Sequence, residues 1–401
     1  MGAIGFPAAR RPIRSPHCRV GPMARPTLVI LDAGASMEVP MRIARPRARF
    51  VVATLMFALA LVLPGGVAAG SGMTVVASGL HSPRGLAFGP GHVLYVAQSG
   101  DATANGSIIQ IRDSMSMNPK AQTIVGGLAK VGDGGEFIGV DGISVLGRGG
   151  NTSIYAIMGL SPQAAGNPFG SLLKVGLDGT TATVTNVGSA DYVWTAAHSS
   201  LWNEFPDANP YAVLALPDHV YVADAGANTL DEVLPNGDVH VLAYFPNEVI
   251  RDAIPTCVAQ GPDGALYVGT LALVDSIFLG PSAKVYRVDP TQANLADPTA
   301  TPMTLWASGL FPINGCAFGP DGSFYASQLF TNPAHNFGVF ADPHGDVVKI
   351  PFSSPGVHTS LTGGTLGVTG GVAVAPNGAV FVADNAAFVA PGTGRVVRLM
   401  P

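Results

Sequence analysis

One short pattern is written six times along the chain: an apolar strand, a tight turn, a second strand ending in small residues and, further on, a third strand. Gly315 to Ser327 reads GCAFGPDGSFYAS, Gly371 to Ala383 reads GVAVAPNGAVFVA, and Gly85 to Ala97 reads GLAFGPGHVLYVA. In the turn, Pro presets φ, Asp or Asn tolerates the bend, and Gly supplies the positive φ. Second strands such as ALYVG and VFVAD hold the β-branched and aromatic residues that suit a pleated, half-buried surface. The third strands KVYRV, DVVKI and RVVRL alternate polar and apolar residues, as a half-exposed strand does. The copies recur at intervals of roughly 45 to 70 residues, which suits propeller blades with loops of varied length.

A unit this small cannot hide its own faces, so the copies must stack. The sequence therefore predicts an all-β fold: a six-bladed β-propeller of four-stranded antiparallel blades around a channel, an architecture that leaves only short, protected edges. TVVASGL at Thr74 to Leu80 echoes TLWASGL at Thr304 to Leu310, the expected outermost strand of the fourth blade. By analogy, residues 74–80 join the last blade and tie the ring shut. Composition agrees. With 51 Gly, 33 Pro and 47% hydrophobic residues, the chain is rich in turns and short apolar runs. With 12% charged residues, a net charge of -5 and no basic stripe in the body, nucleic acid is not expected as a partner.

The N-terminus reads differently. From Met41, four arginines (Arg42, Arg45, Arg47 and Arg49) precede an apolar run from Phe50 to Leu63, then the small residues Val67-Ala68-Ala69. This is a secretory signal peptide pattern, and the apolar run is short for a membrane span. The expected division is an extension of the reading frame or a disordered segment at 1–40, a signal peptide at 41–69 and the propeller at 70–401. The expected location is secreted, extracellular or periplasmic, with no membrane contact after cleavage. Of three cysteines, Cys257 and Cys316 fall in the body. Their usual reading is two buried small hydrophobes; because they occupy neighbouring repeats, a bridge between them is the alternative.

ASGLHSPRGLAFGPG, NPYAVLALPDHVYVADAGANTL and PTCVAQGPDGALYVGTL, followed by AKVYRVDP, together resemble the ScyD/ScyE family over roughly residues 74 to 400. Those are exported bacterial propellers in the wider group of NHL-repeat and gluconolactonase-type propellers. The resemblance implies six blades and export, and brings no catalytic residues with it.

In a propeller, the residues that open each innermost strand ring the channel mouth. Here the spacing assigns Arg84, Asp141, Asn209, Thr256, Asn314 and Thr369 to that ring. The second strands end in Gln98, Met158, Asp224, Thr270, Gln328 and Asp384. Asp141, Asn209, Asn314 and Asp224 offer oxygen ligands of the kind that hold calcium or another divalent cation. Asp224 and Asp384 read first as structural, since aspartates at strand ends bond nearby backbone N–H groups. Gluconolactonase-type propellers place an acidic ligand near the first inner strand, whereas this chain has Arg84, a group that repels a cation and suits an anion. An Arg84–Asp141 pair closing the mouth is the structural alternative. The insert VWTAAHSSLWNEFPDANPY, with Trp194 and Trp202, is expected either to rim the channel or to pack against the blade face. His198, His219, His240, His335, His344 and His358 form no metal-binding spacing, and no G-x-S-x-G is present.

These features favour a non-catalytic protein that binds a small molecule or an extracellular partner at the channel mouth. The alternatives are a divalent-cation-dependent hydrolase or lactonase, and a structural scaffold module.

Overall fold

The computed structural model describes residues 72–400 except 134, 148–150, 202–205 and 333–334. The expected signal peptide, the segment before it and Trp202 lie outside the described residues.

Hairpin chemistry sets the first level of order. In the GPDG turn of the fifth repeat, Gly322 takes φ 75°, a conformation that costs glycine nothing and other residues a clash. Strand β1 (Met73–Leu80) comes first. Blade one is β2 (Pro83–Phe88), β3 (Leu94–Gln98), β4 (Gly106–Arg112) and β5 (Lys120–Leu128), followed by a small hairpin of β6 (Val131–Asp133) and β7 (Glu136–Ile138). Blade two is β8 (Val140–Leu146), β9 (Ser153–Met158), β10 (Ser171–Gly176) and β11 (Thr181–Asn186). A single helical turn, α1 (Pro162–Ala165), lies within it, and helix α2 (Val187–Ala197) follows it. Blade three is β12 (Pro210–Ala215), β13 (Val220–Asp224), β14 (Thr229–Val233) and β15 (Val239–Tyr244). Blade four is β16 (Pro255–Gln260), β17 (Leu266–Thr270), β18 (Ala283–Val288) and β19 (Met303–Leu310), with helix α3 (Leu273–Leu279) between its second and third strands. Blade five is β20 (Ile313–Phe318), β21 (Phe324–Gln328), β22 (Asp346–Ile350) and β23 (Thr359–Ser360). Blade six is β24 (Val372–Val374), β25 (Val380–Asp384) and β26 (Gly394–Leu399).

Six antiparallel four-stranded sheets result, and the sixth is completed by β1, which pairs with β26 from Met73↔Leu399 to Leu80↔Gly394. The predicted ring closure is therefore present, and the fold is a six-bladed β-propeller. Its core is a chain of interfaces. Val76, Leu94, Val96 and Phe381 join blades six and one. Tyr95, Ile108, Ile143 and Ile154 join one and two. Ile157, Leu172, Val213 and Val222 join two and three. Tyr221, Leu230, Val258 and Leu266 join three and four. Tyr267, Val285, Ile313 and Phe324 join four and five. Tyr325, Val347, Val372 and Val382 join five and six. Each blade is stabilised by hiding apolar faces against both neighbours.

Near the channel the inner strands come so close that a Cβ on Gly142 would stand 2.5 Å from the Tyr211 carbonyl oxygen. The same crowding brings Cys257 of β16 and Cys316 of β20 to a Cα separation of 5.6 Å, and they form a disulfide. The reading of two free buried cysteines is thus corrected: neighbouring blades place the two inner strands side by side. Among the described residues no helix is long and apolar enough to cross a membrane.

Candidate functional site

The channel mouth is built by a bulge repeated at the start of the inner strands. In each, one residue pairs with the end of the second strand: Pro83↔Gln98, Val140↔Met158, Pro210↔Asp224, Pro255↔Thr270 and Ile313↔Gln328. The register then slips before the next pair. A bulge re-aims the extra side chain, and the residues at the slip are Arg84, Asp141, Tyr211, Thr256 and Asn314. All five line one small cavity of about 60 Å³ at the channel mouth. In blade six a Cβ on Gly371 would meet the Arg84 carbonyl and Gly85, which puts Gly370 in the corresponding place.

This register corrects two of the six assignments. In blade three the mouth position belongs to Tyr211, and Asn209 lies two residues earlier. Its Oδ1 accepts the Leu160 N–H at 2.7 Å, and its N–H donates to Asp224. In blade six Thr369 precedes the position. It is fully buried, its carbonyl accepts Asn314 Nδ2 at 2.7 Å, and its Oγ1 has no partner. A sequence signal for Tyr211 existed: in SPRG, NPYA and IPTC the mouth residue follows the proline.

Arg84 dominates the site. It is 6% exposed, and its Nη2 donates to the Phe137 carbonyl at 3.1 Å. Burial opposes its charge, but Tyr211, Asp141 and Glu136 outweigh that and hold its pKa above the ordinary value. A carboxylate within ion-pair reach is Glu136 on β7, 3.8 Å away and half exposed; Asp141, the partner in the structural alternative, acts on Arg84 through its charge without a salt bridge. The long, solvated pair with Glu136 contributes little. Arg84 Nε is buried and has no acceptor, an arrangement that leaves desolvation uncompensated. Asp141 accepts the Ser99 hydroxyl at 2.5 Å, and burial pushes its carboxyl up to about 6 against the pull of Arg84 and Ser99. Tyr211 donates its hydroxyl to Asn314 Oδ1 at 2.7 Å. Thr256 turns its hydroxyl away, to the Ile313 carbonyl at 2.5 Å.

The oxygen set fits a metal poorly. Asp141 Oδ2 and Asn209 Oδ1 do approach each other, since a Cβ on Gly159 would stand 2.2 Å from one and 3.1 Å from the other. Yet Asn209 Oδ1 and Asn314 Oδ1 already accept hydrogen bonds, and the Arg84 guanidinium faces the same space. Asp224 lies elsewhere, holding the backbone N–H groups of Asn209, Gly226 and Ala227. Among the described residues no group of three or more His, Cys, Asp or Glu side chains is placed to hold a metal ion.

Of the two readings of the aromatic insert, packing against a blade holds for Trp194. Trp194 sits on α2, stacked on His198 at 4.3 Å, and lines a separate cleft with Val239, His240 and Val241 of the outer strand β15. It packs the insert against blade three.

No family model matches the sequence, and no curated protein matches it. In fold the chain is similar to a gluconolactonase from Xanthomonas campestris, at TM-score 0.50 and 11% identity, covering 82% of this chain and 89% of that one. It is also similar to a PQQ-bound aldose sugar dehydrogenase from Streptomyces coelicolor, at TM-score 0.49 and 14% identity, over 82% and 97% of the two chains. A carbohydrate-active enzyme of family AA12 from Trichoderma reesei, solved with calcium, gives TM-score 0.49 and 12% identity over 83% and 96%. At these identities the likeness shows the architecture alone.

Proposed function

We propose that this is an exported propeller of the ScyD/ScyE type that binds, without catalysis, a small ligand by its carboxylate or a similar anionic group at the channel mouth. One observation carries the reading: a buried guanidinium whose Nε–H has no acceptor in the protein. A carboxylate supplies what that donor lacks, in the geometry arginine matches best. The cavity, about 60 Å³, is small. It admits a functional group, with the ligand's body resting outside.

The test is calorimetric titration with small carboxylates such as benzoate and succinate, alongside their amides. Binding of the acids and not the amides is expected, weakened at least ~10-fold in Arg84→Leu, the effect of losing a charge-assisted hydrogen bond. Equal binding by the variant contradicts the proposal. The pH dependence has a definite sign. Ionised Asp141 competes for Arg84 and repels the anion, so affinity rises as pH falls through about 6, where Asp141 gains its proton. An Asp141→Asn variant loses that dependence; a dependence unchanged in the variant assigns it to another group.

Lactone hydrolysis is the second reading, favoured by the fold shared with the Xanthomonas campestris gluconolactonase. Sites that enclose a whole small molecule usually measure roughly 300 to 1,000 Å³, and the mouth is well below that. Lactone turnover above background, abolished in Asp141→Asn, replaces the binding reading with this one.

A further inference from the structure

Helix α2 carries Asp191 into blade three, where it comes within hydrogen-bond reach of Asp224 at the end of β13 and Asp231 on β14, all three fully buried. Asp224 Oδ1 accepts three backbone N–H groups, and Asp231 Oδ2 accepts the Thr229 hydroxyl at 3.1 Å. The remaining oxygens, both of Asp191, Oδ2 of Asp224 and Oδ1 of Asp231, are buried and receive no donor. Blade six shows what the same position looks like with a counter-charge. Asp384 pairs across the strands with Arg395, as Asp224 does with Thr229. Arg395 Nε donates to Asp384 Oδ2 at 2.7 Å. Blade three has a threonine in place of that arginine and brings in two further carboxyls.

Three carboxylates cannot all stay ionised side by side out of water; neighbouring acids in that position share protons. We propose that Asp191, Asp224 and Asp231 form a proton-sharing latch that holds helix α2 on blade three in acid and weakens as the cluster ionises. Asp224 also holds the N–H of Asn209, two residues before the mouth residue Tyr211. The other charged groups nearby do not replace the protons. Asp207 adds negative charge beside Asp224, and His240 of β15 stands across the cleft from α2. Lys174 of β10 turns away over the Tyr155 ring, and Glu232 of β14 turns to His219. Helix α1 has no charged residue.

Burial and mutual repulsion raise Asp191 and Asp231 well above the ordinary carboxylate range, and burial raises Asp224 to about 6. Carboxyls whose folded pKa is raised give stability that is complete below the unfolded value near ~4 and is lost as pH rises through the folded one.

The experiment is hydrogen exchange of residues 187–197 in the full chain at about pH 5 and about pH 8, corrected for the intrinsic rate. Wild-type protection is expected to fall roughly tenfold or more between them. Asp191→Asn, whose amide donates without titrating, is expected to keep its protection at the higher pH. If that variant does not fold, Asp231→Asn makes the same comparison. A fall of equal size in the variants overturns the proposal. So does full restoration of wild-type protection at the higher pH by calcium chloride, which would put a cation where the protons are placed here.

Discussion

Replacing Cys257 and Cys316 together by alanine is expected to lower stability by about 4 kcal/mol. The bridge spans 59 residues of sequence, a loop that contains nearly all of blade four, and joins the inner strands of blades four and five. In the chain-entropy account, cutting a cross-link of that span frees an unfolded chain that was held in a loop. The loss is large against a usual total of about 5 to 15 kcal/mol. It falls on one interface of a closed ring, whose apolar residues Tyr267, Val285, Ile313 and Phe324 remain to hold it. The variant should therefore fold and melt earlier. Urea unfolding of the oxidised parent and the double variant measures the difference; a change below ~1 kcal/mol means the interface holds without the bridge.

Deleting residues 73–80 is expected to do more. Strand β1 buries Val76 and Leu80 against blades one and six and covers the edge of β26 along its length. Each of those side chains contributes roughly 1.5 to 3 kcal/mol by burial. The exposed β26 edge would then present unpaired N–H and C=O groups to other molecules. Together these losses rival the stability of a whole domain. The deleted protein should aggregate or lose its cooperative melt. A monomer that melts within a few degrees of the parent would show that the other five interfaces suffice to hold the ring.

What the sequence disclosed and what it hid follow from the range of the forces involved. The hairpins were legible because their turns are local chemistry: Pro320, Asp321 and Gly322 specify a bend wherever they occur. The closing strand was legible because TVVASGL repeats the outer strand of blade four, and β1 does pair with β26. The mouth residues of blades three and six were misplaced because a bulge decides which side chain turns inward, and bulge position depends on strand pairing. Helix α2 escaped notice for a different reason. Its buried face is Val187, Gly188, Asp191 and Thr195, so the residues at helical spacing include an acid and a hydroxyl where an apolar stripe marks most helices. Its start was marked only by Asn186, whose Oδ1 accepts the Ser189 N–H at 2.7 Å. Glu136 went unseen as the partner of Arg84 because it lies on a hairpin outside the repeat.

On the proposed function, Arg84 holds an anionic group inside the mouth. Crystals soaked with 4-bromobenzoate test it most directly, because bromine is located by its anomalous scattering. A carboxylate against Arg84 Nε and a bromine peak just outside the mouth are expected, both missing in Arg84→Leu. A mouth that stays without the ligand, or a peak that persists in the variant, contradicts it.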